Sequence, residues 1–183
     1  LYEALGQLEN TTVVVFSDHG MADDYGHGGT KGGQDHASLI LAGKGVKGTG
    51  VIISDKIRMN DVTPTLLALL GLSLAPTMNG RIFYELLDCS DQTKAIYAIQ
   101  SAEIMTQQLS VSIANLKALS PASRAFYQAQ VASIHENLSL IKEEFTSSHF
   151  SVASQEGQRT ERFARIMLSA LYFQYDAVMK LTR

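Results

Sequence analysis

The apolar positions of this 183-residue chain fall into two textures. Up to about residue 88 they come in short unbroken runs. "TTVVVFSD" (11–18) is rich in β-branched residues and has no helical period, so it predicts a strand buried on both faces. "ASLILAG" (37–43) predicts a second strand, stopped by Gly43, and "GVIISDKI" (50–57) a shorter third. "NDVTPTLLALLGL" then predicts a helix, with Asp61 as its cap, Pro64 in the first turn and Gly71 as its stop. Strands and helices alternating at this spacing predict an α/β fold with a partial, mainly parallel sheet.

From about Gln92 glycine nearly vanishes and the apolar positions take up helical spacing. Three helices are expected, at roughly 92–119, 121–146 and 158–182, with turn-like breaks at "SPAS" (120–123) and "SVASQEGQ" (151–158). Ile96, Ile99, Ile104, Leu109 and Ile113 mark the first. Phe126, Ala129, Ile134, Leu138 and Ile141 mark the second, and Phe163, Ile166, Leu168, Leu171, Phe173 and Val178 the third. The expected organisation is thus an α/β part, 1–88, followed by an all-helical tail, 92–183, that serves packing or interaction. His135 and His149 lie among polar residues and read as surface histidines.

Composition narrows the functional classes. The net charge is −3 without a Lys/Arg cluster, which argues against a nucleic-acid partner. The single cysteine, Cys89, rules out an internal disulfide and a cysteine zinc cluster. No run of eighteen apolar residues is present, so no transmembrane helix is expected within this stretch. The opening "LYEALGQLEN" reads as the tail of a helix, and the chain is expected to be a piece of a longer protein.

Candidate chemistry gathers where the first strand ends, in "VVVFSDHGMADDYGHGG" (13–29). In a parallel sheet, ligands collect beyond the carboxyl ends of strands, and Asp18 and His19 stand at such an end. Aspartate and neutral histidine are ordinary ligands of zinc or manganese. His27 follows in a loop with Gly26, Gly28 and Gly29 around it, which suits a folded-back metal loop. Asp23, Asp24 and Tyr25 read as solvated. Asp35 and His36 precede the second strand, the wrong end for a site in a parallel sheet; His36 is a candidate substrate-binding group, with a turn at the strand start as the plain alternative.

These residues, with "SLILAGKGVKG" and "RMNDVTPTLLALLGLSLAPTMNGRIFYELL" after them, resemble the C-terminal part of the catalytic domain of the alkaline phosphatase superfamily. The phosphodiesterase and GPI ethanolamine phosphate transferase branch is the most similar, over roughly residues 10–87. The resemblance implies a site of two divalent metal ions, zinc in the first place, with manganese or magnesium as alternatives. Asp18 and His19 would bind one ion and His27 the other. It also implies a phospho-threonine or phospho-serine intermediate, with the nucleophile and the remaining ligands upstream of Asp18. The expected activity is hydrolysis of phosphate mono- or diesters, or transfer of phosphoethanolamine, on a phosphoester such as a lipid or glycolipid. An extracytoplasmic or ER-lumenal, membrane-associated location follows from the resemblance alone, with any membrane segments outside this chain. The alternatives are a sulfatase-like or phosphomutase-like member of the superfamily, or a non-catalytic interaction module that retains the metal loop.

Overall fold

The computed structural model describes residues 6, 8–22, 37–48, 50 and 57–181. They form strands β1 (Thr12–Phe16) and β2 (Leu39–Gly43) and helices α1 (Met59–Leu69), α2 (Asp91–Asn115), α3 (Pro121–Thr146) and α4 (Phe150–Leu181). Single 3-10 turns lie at Leu8–Asn10 and Tyr84–Leu86. The chain divides into two compact units, one of residues 1–59 and 83–88, the other of 60–82 and 89–183. No described helix is long and apolar enough to cross a membrane.

The expected parallel α/β sheet is not what forms. Among the described residues the protein is mostly helical, and its one sheet is a two-stranded antiparallel pair. Thr12 pairs with Gly43, Val14 with Leu41 and Phe16 with Leu39. A parallel pair needs a crossover, usually helical, between its strands. The sequence from Ser17 to Ser38 contains six glycines and no helical period. An unbroken apolar run is consistent with a doubly buried strand but does not require one: Val15, Phe16 and Ile40 are exposed. The strand expected at 50–57 lies outside the described residues except at Gly50 and Ile57. In the same unit, Val46 bridges Leu87, and the Asp88 N–H donates to the Gly45 carbonyl at 2.8 Å.

The second unit is built on α2, α3 and α4. Ser90 and Ser120 cap the first two helices, each side-chain oxygen accepting an N–H three residues on, and Pro121 opens α3. The guanidinium of Arg124, on α3, donates to the carbonyls of Ile113 and Leu116, satisfying the C-terminal end of α2. Ser148, with φ 64°, ends α3 in a left-handed turn, and the His149 N–H reaches back to the Glu144 carbonyl. The core gathers Ala102, Met105, Leu109, Ile134, Leu138 and Leu171.

Two local expectations change here, the inward place of Ile96 and the break after α3, and small residues at the tightest contact are the reason. On α2 the buried apolar positions are Ala95, Tyr97, Ala98, Ala102, Met105, Leu109 and Ile113, with Ile99 and Ile104 partly buried against the core, while Ile96 is exposed. The break expected at 151–158 is helix, so α4 runs unbroken from Phe150. A Cβ on Gly157 would lie 2.8 Å from the Ala98 Cβ, so glycine lets α4 close on α2. That packing overrides the weak local propensity of "SVASQEGQ".

α1 starts at Met59, two residues before the expected cap. Asp61 is buried, and its Oδ1 accepts the backbone N–H of Arg81 at 2.8 Å. Gly71, at φ 71°, supplies the expected stop; the Leu72 N–H returns to the Leu67 carbonyl. Pro64 has no N–H for the Asn60 carbonyl one turn back, and Gly80 lies against that carbonyl so closely that a Cβ would overlap it. Gly80→Ala is therefore expected to destabilise the protein by about 1–3 kcal/mol. A urea midpoint within error of wild type would contradict that contact.

Candidate functional site

Asp18 and His19 follow β1 directly. Ser17 fixes their starting point: its N–H donates to the Ser38 carbonyl at 3.0 Å, and its Oγ accepts the Ser38 N–H at 2.9 Å. This clamp extends the β1–β2 ladder by one residue on each strand. In the antiparallel pair the start of β2 lies at the same end as the exit of β1.

Asp18 Oδ1 accepts the His19 backbone N–H at 3.0 Å, and the same oxygen lies 3.6 Å from His19 Nε2. The other ring nitrogen, Nδ1, is 2.7 Å from the Gly20 carbonyl oxygen. With the proton on Nδ1 donated to Gly20, Nε2 is the lone-pair nitrogen, on the same side as the carboxylate. This is the arrangement in which a backbone carbonyl orients a metal-binding imidazole. Two ligands on one tetrahedral zinc, at about 2.0–2.1 Å each, stand about 3.3 Å apart. The Asp18–His19 separation is near that edge. Both side chains are open to solvent, Asp18 at 81% and His19 at 40% of full exposure.

The donor set among the described residues stops at these two. No group of three or more His, Cys, Asp or Glu that could hold a metal ion is found among them. His27, with Asp23, Asp24 and Tyr25, and His36, with Asp35, lie outside the described residues. His135 and His149 belong to the second unit. His149 Nδ1 is 2.7 Å from Glu144 Oε2 at the end of α3. His135 lines an open groove of about 420 Å³, where the ammonium of Lys142 and the carboxylate of Glu103 already neutralise each other at 2.6 Å.

A second polar centre escaped the sequence reading. Glu161, on α4, is 4% exposed and accepts a hydrogen bond from Arg165 at 2.7 Å. Arg165 also donates to the carbonyls of Asn79 and Gly80. Ser101 and Arg81 add to the surroundings of the carboxylate. Its trace in the sequence is an acid with a base four residues on, a pair that ordinarily marks an exposed helix face. Here it turns inward and holds the segment carrying Gly80. The role is structural, since every strong partner belongs to the protein's own frame.

Compared with protein-family models, with curated proteins and with solved structures, the chain matches none.

The buried pair yields two expectations. Arg165→Ala leaves the Glu161 carboxyl buried without its cation and should cost about 3–5 kcal/mol in urea unfolding. Burial raises the Glu161 carboxyl above its ordinary 4.5, against the lowering influence of Arg165 and Ser101. A raised folded-state value means folding favours the protonated form. The stability from this group is fully present below pH 4.5 and is lost as pH rises through the folded value. Glu161→Gln cannot ionise, so its stability relative to wild type should climb over that window. A pH-independent difference would contradict the assignment.

Proposed function

We propose that Val13–Gly29 is the metal-ligand arm of a phosphoryl-transfer site of the alkaline phosphatase type. The activity is hydrolysis of a phosphate mono- or diester, or transfer of phosphoethanolamine. The observation that carries the reading is the placement of Asp18 Oδ1 and His19 Nε2, 3.6 Å apart at the exit of β1, with Gly20 orienting the ring. Asp18 and His19 hold one divalent cation, zinc in the first place, and His27 the second; His36 contacts the substrate. When bound, the two cations neutralise charge on the attacking and leaving oxygens and acidify the nucleophile.

The chain's own contribution is positional. The Ser17–Ser38 clamp fixes where the arm leaves the sheet. The Gly20 carbonyl selects the tautomer that offers Nε2 to a cation. Exposure of Asp18 and His19 keeps both accessible to an ion arriving from solvent. By this reading the nucleophile is supplied by none of the residues near Asp18: Thr11 and Thr12 stand at the start of β1, at the opposite end of the strand.

The test is zinc and manganese affinity, read by competition with a chromophoric chelator, alongside turnover of p-nitrophenyl phosphoesters by the protein that carries this chain. Asp18→Ala and His19→Ala should each weaken metal binding at least about tenfold and reduce turnover in step. Unchanged metal affinity and unchanged turnover in both variants would remove the reading.

A further inference from the structure

α4 carries two seams. Ala153, Gly157, Thr160, Ala164 and Leu171 are buried and turn toward α2 and α3. On another side of the helix, Phe163, Ile166, Ala170, Phe173 and Ala177 are all exposed, Phe173 to 79%. Single exposed apolar residues are ordinary. These five recur at alternating intervals of three and four, the spacing by which one helix takes another along its length. Arg159 closes the stripe at one end and Lys180 at the other.

The residues beside the stripe identify the partner. Arg162 immediately precedes Phe163, and Asp176 immediately precedes Ala177, so both flank the same edge. Consider a second α4 laid antiparallel with its Phe173 opposite Phe163. Ile166 then faces Ala170, and Arg162 of each helix meets Asp176 of the other, once at each end of the two-fold. A parallel pairing would instead set Arg162 beside Met167. An anionic membrane would favour an unbroken basic border, whereas Asp176 interrupts this one, already paired with Lys180 at 2.6 Å.

We infer that the outer face of α4 is a self-association surface, its partner being the same stripe on a second copy of this chain, antiparallel. The stripe spans about four turns, roughly 22 Å. It therefore lies at the small end of specific interfaces and supports a reversible, micromolar dimer. The inference is independent of the phosphoryl-transfer reading.

Sedimentation velocity of the chain over a micromolar concentration series tests it, with circular dichroism to verify that each variant folds. Wild type should shift from monomer to dimer as concentration rises. Phe173→Glu, at an exposed position, should weaken the dimer at least about tenfold. Arg162→Asp and Asp176→Arg should each weaken it by placing like charges opposite one another, and the double exchange should restore it. A wild-type chain that stays monomeric throughout overturns the inference. So does a dimer indifferent to Phe173→Glu, or charge exchange without rescue. A monomeric chain that binds vesicles of phosphatidylserine and phosphatidylcholine through the same stripe would make the surface a membrane contact instead.

Discussion

The carbonyl groups of Asn79 and Gly80 end at the guanidinium of Arg165, and much of the helical unit follows from that meeting. A segment without regular structure has few internal partners for its backbone, so it needs donors from elsewhere. Arg165 reaches it from α4, and Gln108 from α2 donates to the Pro76 and Met78 carbonyls at 2.9 and 3.0 Å. Glu161 balances the guanidinium from one turn away, at the cost of burying a carboxylate. Gly80 can occupy its place only because it has no side chain, and Pro64 leaves the carbonyl it rests on without a helical N–H. Asp61, Pro64 and Gly80, which in the sequence suggest part of a catalytic-domain pattern, are here members of one steric and hydrogen-bonded lock.

The same economy of volume governs α4. Gly157 and Ala153 bring it against the alanines of α2, and the close approach keeps the helix continuous through a stretch of weak propensity. With Ala153, Gly157 and Ala164 at the close contact on the inner face, Phe163, Ile166 and Phe173 stand on the outer. One helix is thus committed to its own fold by close backbone contact and presents bulk to solvent.

The candidate metal arm has a different physical basis. Two strands alone make a marginal sheet, and its register at the critical end rests on Ser17 and Ser38 as well as the ladder. Asp18 and His19 are oriented by short-range bonds to each other and to Gly20, not by burial. Such a pair is readable from sequence because its geometry is local: adjacent ligands after a strand need only a turn to converge. The distant members, His27 and His36, are separated from the pair by sequence whose composition and spacing do not determine where they are placed.

The sequence by itself determined that helices run from about residue 92 and from 121 to 146, through apolar periodicity, along with the stop at Gly71, the strands around Val14 and Leu41, and the adjacency of Asp18 to His19; α2 ends at Asn115, four residues before the expected 119. These depend on contacts within a few residues. Only the tertiary structure decided that the strands pair antiparallel, because an apolar run favours a strand without specifying its partner's direction or its burial. Packing also decided that Ala95, Ala98 and Ala102 face inward on α2 while Ile96 faces solvent, and that Gly157 continues a helix instead of breaking it. Glu161 and Arg165 show the same limit: their i,i+4 spacing is as compatible with solvent as with the core. The carbonyls of a segment some eighty residues earlier drew them inside.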